Sequence, residues 1–461
     1  MSRYAHCVPG FFLFEMANRE LGENLMNDQI KAADINSSGH LQIGGVDALT
    51  LADKYGTPVL VYDVAKIRDQ IHRFRNVFEQ EHVEYEVSYA SKAFASVAIY
   101  QVMKQEQAHI DVVSGGELAT AIKADFPMEK ISFHGNNKSE AELSMALEHG
   151  VGTIVVDNFH EIDLLKQLIA DSSKRVNVQL RITPGIAAHT NSYIATGQVD
   201  SKFGFDVDSG QADKALRELM AISQINVTGI HAHIGSQIFD VQGFKGVAHK
   251  LVQIAADWQE KYDFHTKILN VGGGFGIKYS ADDHPIHPED FVRAIIDVVK
   301  KSAQESGIDM PAIWIEPGRS IVGPAGYTLY TIGSRKDIPG LLPYVSVDGG
   351  MGDNIRPALY NAKYEAVLAR DPQAQNIEEV RIAGKYCESG DILSDRQPLP
   401  ETHPGDVLVM LDTGAYDYAM ASNYNRNPRP AVVFVENGRD QLVIKRESYD
   451  DLTHLDLNYS L

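Results

Sequence analysis

From residue 84 to 318, short strand-like apolar runs alternate with longer stretches whose apolar positions recur at helical spacing. The runs "EYEVSYA" (84–90), "HIDVVS" (109–114), "KISFHGN" (130–136) and "GTIVVDN" (152–158) read as strands. So do "NVQLRITP" (177–184), "NVTGIHAHIGS" (226–236), "KILNVGGG" (267–274) and "AIWIEPG" (312–318). Helical patterns such as "SEAELSMALEHG" (139–150) and "FHEIDLLKQLIADS" (159–172) fill the gaps, and the first of these closes on Gly150. Eight strand–helix units in succession predict a (β/α)8 TIM-type barrel over residues 61–320, with a doubly wound open sheet as the alternative. Beyond residue 320 the alternation stops. "YVSVDGG", "PAVVFVENG" and "QLVIKRESY" read as strands joined by tight turns, which predicts a C-terminal antiparallel β-domain over 321–461. The apolar run "PVLVYDV" (58–64) fits either unit, and residues 26–60 are expected to contribute to the β-domain. Residues 1–25 are expected to form a disordered extension, with Met26 as an alternative start.

Composition narrows the function. A chain of 461 residues with 44% apolar and 23% charged residues is globular and long enough for two cores. Its net charge of −20 argues against a nucleic-acid partner, because phosphate backbones are bound by basic surfaces. Two cysteines, Cys7 and Cys387, make no disulfide framework, which fits a reducing, cytoplasmic compartment. No apolar run has the length of a membrane span, and "FFLF" near the start is too short for a signal-peptide core.

The chemistry-bearing residues cluster at one end of the predicted barrel. Lys92, in "YASKAFA", follows the first strand at its C-terminal end, the face where barrel active sites lie. Gly272, Gly273 and Gly274 follow the seventh strand. Their bare backbone suits an anion cradle, or simply a tight turn. "IEPGR" ends the eighth strand, placing Glu316, Gly318 and Arg319 there either as ligand-binding groups or as a structural ion pair. His231 and His233 lie two apart on the sixth strand and are predicted to face the same way. They read as a metal pair, as a ring stacked on an aromatic cofactor, or as core histidines, and Ser236 adds a hydroxyl where an anion would sit. Arg356 and Tyr360 are spaced for a carboxylate clamp or a surface turn. Cys387 and Tyr416 read equally well as β-domain core. A lysine, a phosphate cradle, a carboxylate, an imidazole and an arginine on one barrel face are the set that pyridoxal phosphate requires. That set implies carbanion chemistry at an amino-acid α-carbon.

Over roughly residues 40–455, the motifs "YASKA", "HAHIGSQ", "GGGFG", "EPGR", "GDNIRPALY", "CESGD" and "GAYDYAMASNYN" occur in the order seen in the fold-type III pyridoxal-phosphate decarboxylases, which the chain resembles, most closely their diaminopimelate-decarboxylating branch. The resemblance implies that Lys92 carries the cofactor and that His233 stacks on its ring. It also implies that Glu316 pairs with the pyridine nitrogen, and that Ser236, Gly272–Gly274, Tyr416 and the backbone around Gly318 and Arg319 hold the phosphate. Arg319, Arg356, Tyr360 and Tyr416 would bind substrate. Cys387, as proton donor, and Glu388, as a ligand of the distal ammonium, would come from the second subunit of a head-to-tail homodimer. The implied reaction is decarboxylation of meso-2,6-diaminopimelate at its D-centre to L-lysine and CO2, with no metal. Within the family the alternative is a decarboxylase of D-ornithine, D-lysine or L-ornithine. Outside it, the alternatives are a metal-dependent barrel hydrolase using His231 and His233, or a non-catalytic regulator, although this chain keeps the lysine, the cradle and the cysteine. One departure from the pattern is Gly390, where relatives carry a small polar residue; a glycine there would widen the space behind Glu388.

Overall fold

The computed structural model describes residues 29–170, 173, 175–186 and 201–460. The expectations for residues 1–25, Cys7 among them, lie outside that range. All eight strands expected in the barrel form: β2 (Tyr85–Ala90), β3 (His109–Val112), β4 (Ile131–Phe133), β5 (Thr153–Val156), β6 (Val176–Thr183), β7 (Ile225–His231), β8 (Ile268–Asn270) and β9 (Ala312–Ile315). Each pairs in parallel with the next, and β9 returns to β2 with Ile313 opposite Tyr85, so the sheet closes. The barrel, not the open sheet, is the fold.

Short polar caps start the helices. Ser96, Ser114, Ser139 and Asn158, each a few residues past a strand, accept hydrogen bonds from the backbone N–H three residues on. The helix Glu140–His149 has a full capping box with Glu142 and ends on Gly150 at φ 73°, a left-handed conformation that glycine adopts without a Cβ penalty. The last barrel strand is followed only by a short turn of helix, Arg319–Val322. Its missing partner comes from before the first barrel strand. Helix α1 (Val64–Gln80) buries Val64, Ile67, Ile71, Phe74, Val77 and Phe78 at helical spacing and packs against Pro288–Ser306 and Arg319–Val322.

β1 (Val59–Asp63), all five residues buried, joins the second sheet. It lies between β10 (Gly326–Lys336), antiparallel to it, and β16 (Ala431–Glu436), parallel to it. Between these in sequence come β11 (Tyr344–Val347), β12 (Ala366–Leu368), β13 (Glu378–Ala383), β14 (Ile392–Leu399) and β15 (Val407–Met410); β17 (Arg439–Ile444) follows β16. The sheet is mostly antiparallel, as expected, but β1–β16 and β11–β13 are parallel pairs. The first arises because β1 enters from the N-terminal side of the barrel, a connection that a reading of residues 321–461 alone does not contain. Among the described residues, no helix is long and apolar enough to cross a membrane.

Phe275, directly after the glycine run, stacks on Phe244 at 4.8 Å and tilts against Phe74 and Phe291 at 5.3 and 5.4 Å. Three helices thereby pin the loop that carries Gly272–Gly274 through aromatic contacts that add to simple area burial.

Candidate active site

A cavity of about 700 Å³ opens at the C-terminal ends of the barrel strands. Lys92 lines it from the short 3-10 turn Ser91–Ala93 after β2, and His233, Ser236, Glu316, Arg319, Arg356, Tyr360 and Tyr416 line it as well. Gly273, Gly274 and Gly318 line a narrow recess that shares Lys92, His233, Ser236 and Arg319 with the cavity. Most of the residues singled out in the sequence, from both structural units, thus meet in one place.

Glu316 is the electrostatic centre. It is 6% exposed and accepts a hydrogen bond from Asn270 Nδ2 at 2.7 Å. His231 Nε2 lies 3.1 Å from its Oε2, and His134 Nε2 lies 3.0 Å from its Oε1. Burial alone would raise this carboxyl; the two imidazoles outweigh it and hold the group well below the usual carboxylate range. Burial also pushes the His231 imidazole down to about 4, so a neutral ring donates to a carboxylate.

The two histidines of the sixth strand both line the cavity but meet different partners. β7 ends at His231, which points inward to Glu316. His233 lies beyond the strand, where its Nδ1 accepts the Gly273 N–H at 3.3 Å. Ala232 between them still donates its N–H to the Asn270 carbonyl at 2.9 Å, and the backbone turns at Gly235, φ 148°. Burial, and then the Lys92 charge, holds the His233 ring well below its ordinary value. The group of described residues close enough to share a metal is His134, His231 and Glu316, so a His231–His233 metal pair is overturned by geometry.

The glycine run is required by close approach. A Cβ on Gly273 would sit 1.9 Å from the Glu316 carbonyl oxygen, and one on Gly274 would sit 2.1 Å from the Gly235 carbonyl. Gly272 and Gly274 also have positive φ, 69° and 108°. The Gly274 and Gly318 N–H groups donate to no acceptor among the described residues.

Arg319 donates from Nη2 to Ser236 Oγ at 3.0 Å and from Nη1 to Tyr279 OH at 2.6 Å, and it lies 4.7 Å from the Tyr416 ring centre. Tyr416 holds φ at 69°, rare for a tyrosine, with its N–H bound to the Ala93 carbonyl at 2.8 Å; this ties the β-domain to the lysine turn. Arg356 is 6% exposed and donates to Tyr364 OH, which in turn donates to Asp417 Oδ1 at 2.8 Å. Burial pushes the Asp417 carboxyl up, against the Arg356 guanidinium 4.0 Å away, which lowers it.

Cys387 and Glu388 do not line the cavity of their own chain; both are exposed. Their loop is fixed by Asp391, which accepts the N–H groups of Met351 and Tyr386 at 2.7 and 2.8 Å. A Cβ added at Gly390 meets no atom within 4 Å, so this departure disturbs nothing within the chain.

Several site residues are absent from the sequence reading: Asp111, His134, Arg181, Tyr279, Tyr364 and Asp417. Asp111 accepts the Ser91 N–H at 3.1 Å beside Lys92, and burial raises it to about 6. Asp111 and His134 lie at or just past the C-terminal ends of β3 and β4, so the strand register that placed Lys92 also flags them. Arg181, near the end of β6, lies over the Phe203 ring at 4.2 Å.

Residues 64–323 match the family model described as pyridoxal-dependent decarboxylase, pyridoxal binding domain. The chain is 56% identical over 424 residues to the diaminopimelate decarboxylase of Bacillus subtilis (strain 168), covering 92% of this chain and 97% of that protein. Among solved structures it is similar to the diaminopimelate decarboxylase from M. jannaschi, with a TM-score of 0.86 and 35% identity over 94% of this chain and 99% of the other. A second structure of that enzyme, in co-complex with L-lysine, also gives a TM-score of 0.86 at 35% identity, covering 92% of this chain and 97% of the other.

Proposed function

The chain belongs to the pyridoxal-dependent decarboxylases, and from that premise we propose that it removes the D-centre carboxylate of meso-2,6-diaminopimelate to give L-lysine and CO2. The observation that carries this reading is a single cavity with Lys92 on its wall and two buried arginines, Arg319 and Arg356, contributed by the barrel and the β-domain.

The residues fit the cofactor. An ionised carboxylate has about four acceptor positions. Asn270 and His231 hydrogen-bond to Glu316 and His134 lies 3.0 Å from it, which leaves acceptor capacity for a pyridine N–H. The unpaired N–H groups of Gly274 and Gly318 suit a phosphate. Bound pyridoxal phosphate supplies the electron sink for the pair released as CO2 departs. The chain's residues do the rest. Lys92 would hold the cofactor through its Nζ. His233 would cover the ring face, and Ser236, Gly272–Gly274, Gly318, Arg319 and Tyr416 would hold the phosphate. Arg356 and Tyr360, with Arg319 and Tyr416, would bind the distal carboxylate and so fix which end of the substrate reacts.

Cys387 would return a proton to the α-carbon and Glu388 would bind the distal ammonium, both from a second copy in a head-to-tail homodimer. Their exposure, away from their own cavity, supports a composite site. A cytoplasmic location fits an amino-acid biosynthetic enzyme.

A substrate lacking the distal carboxylate, such as D-lysine or D-ornithine, would leave the two cavity-lining guanidiniums of Arg319 and Arg356 with only Asp417, 4.0 Å from Arg356, as a carboxylate partner. The test is a visible spectrum of the purified protein followed by product analysis with meso-diaminopimelate. The expected result is a cofactor band near the blue edge of the visible and equimolar CO2 and L-lysine. Turnover of D-lysine or D-ornithine in preference would overturn the substrate assignment. Arg356→Ala is expected to raise KM for diaminopimelate by roughly 10²-fold, the weight of a charge-assisted pair, with a smaller effect on kcat; an unchanged KM would remove Arg356 from the clamp.

A further inference from the structure

We infer that Tyr279 is a specificity-determining residue of the substrate clamp: its hydroxyl donates to the substrate's distal carboxylate, and its ring sets the positions of the two clamp arginines. The inference rests on the function proposed above and deepens it.

Tyr279 lies in the stretch that follows the glycine run, and it is 5% exposed while lining the cavity. The backbone there is fixed by Asp283, whose Oδ2 accepts the N–H groups of Tyr279 and Ser280, each at 3.0 Å. Both arginines use this one side chain. Arg319 Nη1 donates to the phenolic oxygen at 2.6 Å, and the Arg356 guanidinium lies over the ring, 4.8 Å from its centre. Tyr364, the hydroxyl partner of Arg356, meets the same ring edge-on at 5.2 Å. Tyr279 is therefore packed between the two cations, a contact that stabilises each guanidinium by its quadrupole.

The proton balance at the hydroxyl points to a ligand. A guanidinium only donates, so the hydrogen bond from Arg319 occupies an acceptor site on Tyr279 Oη and leaves its proton unplaced. Among the described residues, no acceptor takes that proton. A phenol beside two guanidiniums, with its own proton facing a cavity, completes a three-donor site for a carboxylate. Of the groups a diaminopimelate-like molecule presents, the carboxylate at the unreacted end is the one these donors suit. L-Lysine, the product, keeps that carboxylate; cadaverine lacks it and is otherwise the same chain.

The experiment is a titration of the holoenzyme with L-lysine and with cadaverine, followed by the change in the cofactor's visible band, in the unmodified protein and in Tyr279→Phe. Loss of a hydrogen bond to a charged group is expected to weaken L-lysine by roughly tenfold or more while moving cadaverine by less than about twofold. Tyr279→Leu, which removes the ring as well, is expected to lose further L-lysine affinity. Equal weakening of both ligands in Tyr279→Phe would reduce Tyr279 to a packing residue and overturn the assignment. So would L-lysine binding that is unaffected. A holoenzyme that binds cadaverine but not L-lysine before any substitution would overturn the functional reading itself, and this assignment with it.

Discussion

Lys92→Ala is expected to lower kcat by at least ~10³-fold, the scale on which a positioned acid–base and anchoring group acts, with little change in folding. The side chain is exposed to the cavity from the middle of a 3-10 turn, so truncating it removes no core packing. The flanking residues hold the turn without it: Ser91 N–H is bound by Asp111, and the Ala93 carbonyl accepts from Tyr416. Lys92→Arg is expected to fail as badly. Arginine keeps the charge and the approximate reach, but a guanidinium does not deprotonate and cannot serve as a nucleophilic amine. The direct check is borohydride reduction followed by peptide mapping. Cofactor mass should attach to residue 92 in the unmodified chain and to no residue in either variant. A variant that keeps turnover above one per cent would move the anchoring role elsewhere.

How much of this was legible follows from the kind of signal each element gives. The eight barrel strands repeat one grammar of a short strand-like apolar run followed by a helical stretch, and the closing register of β9 on β2 confirms the barrel that this repetition implies. β1 was ambiguous because all five of its residues are buried, so no alternation marks an exposed face, and an apolar run of that length suits either sheet. Its capture by the second sheet, parallel to β16, depends on pairing across more than 360 residues of chain, which local pattern cannot encode. Lys92, Glu316 and the glycines were readable because each sits at a strand end where the barrel register gives position a meaning. The histidines show the limit of that reasoning. Spacing alone puts His231 and His233 at the same cavity, as found, but does not show that His231 pairs with Glu316 while His233 accepts from the glycine loop. Tyr364, which supports Arg356, lies 8 residues along the chain from it, and Asp417 a further 53. Isolated tyrosines and aspartates give no signal of this kind until the fold is known.

The proposed composite site makes a prediction that no single-chain account shares. Cys387→Ala is expected to lower the rate of lysine formation by ~10²–10⁴-fold, the range for losing a positioned proton donor. The cysteine is exposed in its own chain, and its backbone is held by Asn425 through the Cys387 N–H at 2.8 Å, so the loop should survive the change. The decisive form uses two inactive variants together. Lys92→Ala and Cys387→Ala chains are coexpressed with different tags, and the mixed dimer is isolated. If Cys387 serves the partner's lysine, each mixed dimer contains one site with both defects and one with neither, and its activity should be about half that of the unmodified dimer. If Cys387 serves its own chain, every site in the mixed dimer carries one defect and the activity stays at the level of the parents. Glu388→Gln in place of Cys387→Ala should complement Lys92→Ala in the same way, because it belongs to the same loop and, on this account, the same neighbour's site. Recovery with Cys387→Ala but not with Glu388→Gln would place the proton donor across the interface and return the ammonium contact to the chain's own cavity.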